Sequence, residues 1–325
     1  MQGKEASEQE TRKCTAGIDV SKDWLDAHVL PSSASLRVAN TSGGIRQLKR
    51  WLLKYKVDLI VVEATGKWHR ELCRSFRASN LAVAVVDPYR VRNYAKAERI
   101  LAKTDRLDAK VLAMFAAAMK PDRRAPAPQI IEAMQELVTA RANAVEEETS
   151  LHNQLGAAQT GFLKRQLTRR ITQIKAHIKD LEHECLRQIE TDEVLARRFA
   201  ILTSIPGFGA VVATTLIAFL HELGLLGNKQ IGALAGVAPV ADDSGERQGC
   251  RVVWGGRSIV RRMLYLAALS ASRHNRDMKL FRQHLSASGK SAKVCLIAVA
   301  RKLVVLANTL ITQNRSWQPI APHNA

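Results

Sequence analysis

The spacing of hydrophobic and polar positions changes between strand-like and helix-like several times in roughly the first third of the chain. Two apolar runs, Thr15 to Val20 and Trp24 to Leu30, flank the polar tripeptide 21–23 and predict a β-hairpin. Gly44 to Tyr55 has apolar residues at helical spacing, whereas Val57 to Glu63 is a continuous apolar run, typical of a central strand in a covered sheet. The other predicted elements are a strand at Leu36 to Ala39, a helix at Trp68 to Ala78, a strand at Leu81 to Val86 and a helix at about Thr104 to Met119.

Four acidic residues stand at informative places in this pattern. Asp19 lies in the first predicted strand and Glu63 ends the fourth. The predicted order, β-β-β-α-β-α-β-α, is that of a ribonuclease H-like domain, in which the first strand is central and the fourth lies beside it. We therefore expect Asp19 and Glu63 side by side. Asp105 and Asp108, which are three apart in a predicted helix, lie on one helical face and complete the cluster.

This acidic cluster predicts a metal site. Carboxylates at the ends of buried strands are costly unless something pairs with them, and a divalent cation is the usual partner. Hard oxygen ligands select Mg²⁺ or Mn²⁺ over softer metals. Two such ions about 4 Å apart would clamp the attacking and leaving oxygens of a phosphodiester. Lys103 and Arg106 flank the acids and either hold the scissile strand or simply screen the cluster.

Residues from about 129 to 198 are predicted to be helical. Their apolar positions follow the alternating spacing of a coiled-coil seam, interrupted between Gly156 and Gly161 at a possible hairpin turn. The seam either forms a dimerisation arm or packs within an intramolecular hairpin. Dimerisation is preferred, because the charged flanks leave little other surface that could bury the seam. The seam residues are Leu167, Ile171, Ile174, Ile178, Leu181 and Cys185.

The C-terminal third combines a glycine-containing turn with a strong positive charge. Leu202 to Ala210 resembles the hairpin of a helix-hairpin-helix motif, in which Gly207 and Gly209 would let backbone N–H groups approach a DNA phosphate, but an ordinary turn fits equally well. From Arg247 to the end there are 14 Lys or Arg and one acid. The candidate phosphate contacts are Arg251, Arg257, Arg261, Arg262, Lys290 and Lys293.

Composition narrows the choice of partner. The chain has 325 residues and a net charge of +19, with 49 Lys or Arg against 30 acids, and this balance favours nucleic acid. Aromatic residues make up 5%, so backbone and groove contacts are expected rather than base stacking. Five scattered cysteines indicate neither a zinc site nor a disulfide framework. The polar N-terminus and the short apolar run Ala210 to Leu220 indicate a soluble, cytoplasmic protein without a membrane span.

Ser244 is a second candidate centre. It lies in a polar loop that Gly245 lets turn sharply, and several arginines follow. A serine hydroxyl beside arginines could attack phosphorus and hold a DNA end covalently. A solvated turn serine is the other interpretation, because Asp-Ser-Gly is common turn chemistry. Residue chemistry by itself favours the turn, since Ser258, Ser270 and Ser272 are also near arginines.

The joint pattern of motifs resembles the DEDD transposases of insertion sequences, a group that includes Piv-type DNA invertases and the bridge-RNA-guided recombinases. The resemblance covers nearly the whole chain, from about residue 14 to 312. The motifs that carry it are Gly17-Ile-Asp19, Glu63-Ala-Thr-Gly66, Val86-Asp-Pro88, Lys103-Thr-Asp105-Arg-Leu-Asp108-Ala109, Ile205-Pro-Gly207, Gly236-Val-Ala-Pro239, Asp243-Ser-Gly245, Gly256-Arg257, Arg262-Met-Leu-Tyr265, Gly289-Lys290 and Ala300-Arg-Lys-Leu303.

The resemblance implies an α/β plus α architecture in three domains. A RuvC-like (ribonuclease H-like) metal domain at 13–125 is followed by a coiled-coil linker at 126–198 and a mostly α transposase domain at 199–325 with the helix-hairpin-helix-like element. It implies that Ser244 is the catalytic nucleophile and that the chain forms a dimer through the coiled coil and a tetramer with a composite active site. Double-stranded donor and target DNA and a structured guide (bridge) RNA are the implied partners.

Three other functions stay open at the level of sequence. One is a metal-dependent nuclease or Holliday-junction resolvase in which Ser244 is idle. The second is a Piv-like invertase that reads DNA without a guide RNA. The third is a non-catalytic nucleic-acid-binding protein, which the intact set of four acids disfavours because an inactive site has no reason to keep costly buried charge.

Overall fold

The computed structural model describes residues 13–100, 104–122, 128–240 and 251–319, without the side chains of residues 105 and 106. The chain divides into two compact units, Met1–Pro126 and Ala127–Ala325. The predicted three-domain division, with a boundary near residue 198, stays a prediction. The two units together give a mixed α/β protein with one central sheet and many helices.

The first unit is built around a five-stranded mixed sheet. The hairpin predicted around residues 21–23 is confirmed, and the third strand is longer than expected at its start. The elements are β1 (Thr15–Val20), β2 (Trp24–Leu30), β3 (Ala34–Ala39), α1 (Ser42–Lys54), β4 (Leu59–Glu63), α2 (Arg70–Arg77), β5 (Val83–Val86), α3 (Pro88–Ala97) and α4 (Asp105–Met119).

The strand order is β3-β2-β1-β4-β5, with β1 central and β4 beside it, as predicted. The strand β1 pairs antiparallel with β2 and parallel with β4, and β4 pairs parallel with β5. The carboxyl ends of β1, β4 and β5 therefore meet at one edge of the sheet. The turn between β1 and β2 lies at this edge as well.

Helix α3 was not predicted. Asp87-Pro88 was interpreted only as the end of a strand, but Asp87 is an N-cap whose side chain accepts a hydrogen bond from the backbone N–H of Tyr89. Proline is favoured at the first helical position, where its missing N–H has no partner to lose. The same dipeptide therefore ends β5 and starts α3. The helix predicted at about Thr104 to Met119 is confirmed as α4, and Thr104 is its N-cap, because the hydroxyl of Thr104 accepts a hydrogen bond from the N–H of Leu107.

Each face of the sheet has its own core. On one face, Ile18, Ile60 and Val62 pack with apolar residues of α1 and α2. On the opposite face, Leu59 and Val61 pack with the helices α3 and α4. Alternation along β1 and β4 thus assigns odd-numbered positions such as Gly17 to the α4 face.

In its described residues the second unit is helical except for one short two-stranded ladder. Two long helices form a hairpin, which turns at 158–160 as predicted, and a compact helical bundle follows. The elements are α5 (Gln129–Ala157), α6 (Gly161–Glu190), α7 (Glu193–Thr203), α8 (Ala210–Phe219), α9 (Asn228–Leu234), β6 (Pro239–Val240), β7 (Val252–Val253), α10 (Ser258–His274), α11 (Arg276–Ala287) and α12 (Ala292–Thr312).

The helical hairpin buries the predicted seam within the chain. Leu167 and Ile171 of α6 form a core cluster with Leu151 of α5, and the side chains of Ile178 and Cys185 are buried further along. The seam therefore has an intramolecular partner, and the argument that only a second copy could bury it is wrong. Dimerisation itself stays a prediction.

Helix α12 is a longer apolar segment than Ala210 to Leu220, the run on which the prediction of no membrane span was based. Ala292–Thr312 has the length and hydropathy of a membrane-crossing helix, but half of its most apolar stretch is buried inside the bundle. Val299, Leu303 and Ala307 have no exposed surface. A single helix of this kind is equally typical of a soluble core, and it provides no evidence for a membrane.

The turn between α7 and α8 has a packing role. Gly207 has a φ of +107°, and a Cβ atom there would lie 2.6 Å from the Cβ of Ala271 on α10. The missing side chain of Gly207 thus lets the turn pack on α10, and the helix-hairpin-helix interpretation stays a prediction. A Cβ atom at Gly209 would meet nothing within 4 Å, and the predicted approach of its backbone to a DNA phosphate stays a prediction.

Candidate active site

The register of the sheet places two of the predicted acids side by side. Ile18 of β1 is paired with Val62 of β4, so the next positions along these parallel strands are Asp19 and Glu63. Both point to the α4 face, because both follow a residue of the opposite core. Each is half-buried, and each makes interactions with other residues of the chain.

Helix α4 passes directly over β1 and brings its first turns toward these acids. The hydroxyl of Thr15 donates to the carbonyl of Ala113, and a Cβ on Gly17 would collide with the backbone of Ala109 and Ala113. The helix therefore runs antiparallel to β1. Asp19 lies roughly 6.6 Å beyond Gly17 along the strand, a distance that spans about four residues of helix.

Four residues before the contact at residues 109–113 lies the segment 105–108. This segment is therefore the part of α4 that lies next to Asp19. Asp108 lies one turn before Leu112, whose Cβ would be 2.6 Å from a Cβ on Gly17. The side chain of Asp108 is half-buried on the same helical face. The backbone of Asp105 starts α4, and its side chain lies outside the described atoms.

A fifth acid lies in the same cross-strand row. Asp26 of β2 is directly opposite Asp19, only 4% exposed, and Arg37 of β3 is directly opposite Asp26. A guanidinium nitrogen of Arg37 lies 3.3 Å from a carboxylate oxygen of Asp26. Like charges directly opposite each other are destabilising, and this ion pair offsets part of that cost. The hairpin register predicted from residues 21–23 could have revealed Asp26.

The donor set of this edge fits a hard cation. Among the side chains that the structure describes, which exclude that of Asp105, no three His, Cys, Asp or Glu stand close enough together to hold a metal ion. Asp19, Glu63 and Asp108 nevertheless all supply carboxylate oxygens from the same side of the sheet, and Mg²⁺ prefers such ligands.

Ser244 lies outside the described residues, as does Lys103, and the side chain of Arg106 is likewise not described. The described chain on both sides of residues 241–250 is firmly held. Pro239 pairs with Val253 and Val240 pairs with Val252. Gly236 and Gly256, both with positive φ, pack so closely that a Cβ on Gly256 would collide with the backbone of Gly236. The ends of this segment are thus fixed to each other.

The predicted phosphate-binding arginines fall into two classes. The guanidinium of Arg257 forms two 2.6 Å bonds to the carboxylate of Glu222 and donates to the carbonyl of Phe219. Burial alone would raise the pKa of Glu222, but the hydrogen bonds and charge of Arg257 outweigh it and lower that pKa. Arg261 donates to the carbonyl of Gly255 at 2.6 Å. These two arginines therefore hold the fold around the β6–β7 ladder.

The other predicted contacts lie on the surface of the second unit. Arg262 makes a 2.7 Å ion pair with Glu146 in which both side chains are exposed, a pair worth little in solution. Arg251, Lys290 and Lys293 are exposed. These four cations remain accessible to a phosphate, because the only ion pair among them in the described residues, that of Arg262, is exposed, whereas the pair of Arg257 with Glu222 is partly buried.

Comparison with known proteins gives the family. Residues 16–163 match the family model of the IS110 DEDD transposases, and residues 199–283 match that of the IS116/IS110/IS902 transposase family. The chain belongs to the IS110 family of transposases. It is accordingly an enzyme that cleaves and exchanges DNA strands.

Its relatives include two DNA-inverting proteins. The pilin gene-inverting proteins of Moraxella bovis and Moraxella lacunata are each 25% identical to this chain over 320 residues, covering 94% of this chain and 98% of theirs. A solved RuvC of T. thermophilus, in complex with a Holliday junction substrate, matches 33% of this chain and 96% of its own at 15% identity. Its TM-score of 0.27 is too low to support a conclusion.

Proposed function

We propose that this transposase is a site-specific recombinase that uses a carboxylate-bound Mg²⁺ (or Mn²⁺) and a covalent phosphoserine intermediate. The observation that supports it most is the pairing of β1 with β4, which brings Asp19 beside Glu63 under the first turns of α4. A bound divalent cation would polarise a phosphodiester at this edge. Asp19, Glu63, Asp105 and Asp108 are the residues that would hold it.

In the proposed reaction Ser244 is the nucleophile. Its Oγ forms a bond to phosphorus as the bond from phosphorus to the 3′ oxygen breaks, which leaves a 5′-phosphoserine and a free 3′-OH. The serine proton is lost and the leaving 3′ oxygen gains one. Strand exchange reverses these steps with a new 3′-OH, so the bond energy is conserved and no ATP is needed. Ser244 lies within residues 199–283, the segment that matches the IS116/IS110/IS902 transposase family, and this supports the role.

Two substitutions test the two centres separately. Asp19→Asn should abolish strand cleavage in Mg²⁺ and weaken Mn²⁺ binding, whereas Asp23→Asn, an exposed acid in the neighbouring turn, should do neither. Ser244→Ala should abolish the SDS-resistant protein–DNA adduct while Ser258→Ala keeps it. Cleavage by Ser244→Ala without an adduct would instead indicate a metal-dependent nuclease in which the acids direct water.

We further propose that a structured guide RNA pairs with donor and target DNA. The protein would then read mainly shape and backbone, as other guided effectors do. The likeness to the Moraxella pilin gene-inverting proteins over nearly the whole chain favours a second candidate, an invertase that reads DNA without a guide. Purification with the native flanking DNA separates the two: one discrete RNA from the flank supports guidance, and heterogeneous RNA lost in moderate salt supports the invertase.

The acids and Ser244 belong to different compact units, and the proposed assembly is a dimer through the helical hairpin and a tetramer with a composite site. Mixing Asp19→Asn protein with Ser244→Ala protein tests this directly. In a composite site some mixed assemblies combine an intact acid cluster with an intact serine, so cleavage should partly return. Two inactive proteins that stay inactive after mixing and co-refolding would contradict it.

A further inference from the structure

Exposed aromatic side chains are concentrated at the carboxyl edge of the sheet. Trp24 is 47% exposed, Trp68 38% and Tyr89 56%. Trp24 begins β2 just after the turn that leaves β1, Trp68 lies in the loop after β4, and Tyr89 lies in the first turn of α3, which follows β5. In the described part of the chain five large aromatic side chains are exposed, and the other two are Phe162 and Trp254. Single exposed apolar residues need no explanation, but three along one edge of one sheet do.

Trp24 projects on the same side of the sheet as the acids. It stands two residues before Asp26 on β2, so both side chains point to the α4 face. Because Asp26 is directly opposite Asp19, the Cα atoms of Trp24 and Asp19 are roughly 8 Å apart. An indole ring in this position lies within one nucleotide of a phosphate bound at Asp19.

The loops of the two tryptophans are joined through one side chain. The amide of Asn40 donates to the carbonyl of Ser21 at 2.8 Å and to that of Trp68 at 3.4 Å. The backbone N–H of Asn40 also donates to the carbonyl of Asp23. Asn40 thus holds the turn that precedes Trp24 against the loop that contains Trp68, so the two segments that carry the tryptophans lie next to each other.

Each tryptophan ring has a cation beside it. The guanidinium of Arg37 lies 5.3 Å from the ring centroid of Trp24, and the ammonium of Lys67 lies 4.9 Å from that of Trp68. Solvent still reaches a large part of both side chains. An exposed aromatic ring suits a nucleotide, because a base can stack on it, and an adjacent cation attracts the phosphate. Lys67 offers such a charge beside Trp68, whereas the charge of Arg37 is shared with Asp26.

We propose that Trp24 and Trp68 stack on unpaired bases of the DNA strand beside the scissile phosphate. This inference rests on the proposed function, since strand exchange requires the base pairs next to the cut to open. A paired base hides its faces within the duplex, whereas an unpaired one can stack on an aromatic ring whatever its sequence. The edge would thus hold opened nucleotides beside the acids and favour the exchanged state.

The test compares two labelled DNA molecules by fluorescence anisotropy without divalent metal, so that no cleavage occurs. One is a fork with unpaired arms and the other a fully paired duplex of the same sequence. The double variant Trp24→Ala/Trp68→Ala should lose roughly tenfold or more in affinity for the fork and less than about twofold for the duplex. Trp24→Phe/Trp68→Phe should restore most of the fork affinity.

Salt dependence distinguishes stacking from phosphate contact. The slope of log affinity against log salt should be the same for wild type and the alanine variant, because an uncharged ring releases no counterions. Phe162 is a still more exposed aromatic residue of the other unit, and Phe162→Ala protein should bind both DNAs like wild type. Equal losses on fork and duplex, a changed slope or failed rescue by phenylalanine would overturn the proposal, as would tight binding of single-stranded RNA with no preference for the fork.

The proposed function can fail without affecting this result. If Ser244→Ala and Asp19→Asn proteins still exchange strands, the catalytic assignment is wrong, yet the fork preference is measured without catalysis. If the fork preference is absent while those two variants are inactive, only the stacking surface is wrong.

Discussion

Replacing Gly17 by alanine should separate α4 from the sheet and disable the acids together. The new Cβ would lie 2.6 Å from the Cβ of Leu112 and closer still to the backbone of Ala109. Two carbon atoms pack at about 3.5 Å or more, so the helix must withdraw by roughly 1 Å. Backbone atoms cannot rotate away, and overpacking of this kind costs about 1–3 kcal/mol of unfolding free energy. A similar displacement of a catalytic group can reduce the rate about 100-fold.

Hydrogen exchange and cleavage assays measure the two effects. Amides of β1 and α4 should exchange faster in Gly17→Ala protein, because the free energy of opening of this unit is lower. Gly43→Ala is the matched control: its Cβ would meet nothing nearer than 3.8 Å, and alanine is favoured over glycine in the helix α1. Normal protection and a normal rate of Mg²⁺-dependent cleavage in Gly17→Ala protein would refute the account of how α4 is placed.

Three further predictions concern buried groups. Arg257→Gln should lower the unfolding free energy by about 1–3 kcal/mol in urea titrations, because Glu222 keeps a partly buried charge without its partner, whereas the exposed Arg251→Gln should cost less than about 0.5 kcal/mol. Burial, and then the charge of Lys110, lower the pKa of His28 from 6.5. Below pH 6.5 the unfolded chain therefore binds a proton at His28 more readily than the folded chain does. The unfolding free energy measured in denaturant should fall as the pH drops below that value, and His28→Gln should weaken this pH dependence. Burial raises the pKa of the Cys185 thiol to about 11, so mass spectrometry should show slow alkylation at pH 8 that becomes fast in urea.

The first unit could be predicted largely from sequence because its strands differ in pattern from its helices. A continuous apolar run such as Leu59–Glu63 is typical of a central strand. Its place beside β1 in the sheet follows once the domain type is recognised. The adjacency of Asp19 and Glu63 depends on parallel register, which is strongly specified where both faces of a sheet are buried. These features are local or follow from topology, so the sequence is sufficient for them.

Helices α3 and α11 were missed for a different reason. Both begin at a residue that also ends the preceding element: Asp87 caps α3 directly after β5, and Asn275 caps α11 directly after α10. A capping residue is compatible both with the end of one element and with the start of the next. Only its hydrogen bonds in the folded chain show whether a new helix starts there. The side chain of Asn275 accepts from the N–H groups of Asp277 and Met278, which no pattern of apolar residues reveals.

The contacts that the hairpin seam and the arginines make also depend on residues that are far away in the sequence. Leu167 and Ile171 could equally have packed against another copy, and the folded chain supplies Leu151 instead. In the sequence Arg251 and Arg257 look alike, because both follow Ser244 closely. In the structure Glu222, which lies 35 residues before Arg257, neutralises only Arg257. Charge counted along a sequence therefore overstates the charge that is available to bind DNA.

Gly17 shows why the acidic site is more than a set of carboxylates. Glycine within a strand is destabilising by roughly 0.5–1 kcal/mol relative to alanine, and it contributes no side chain to the core. Gly17 is itself buried against α4, so a larger residue at this position would add buried apolar surface if α4 could lie further away. The close approach of α4 brings Asp108 toward Asp19 and Glu63, and it requires the absence of a side chain at Gly17. The chain thus gives up core packing at the point where the helix must reach the strand ends, and the position of a residue with no functional group determines whether the acids converge.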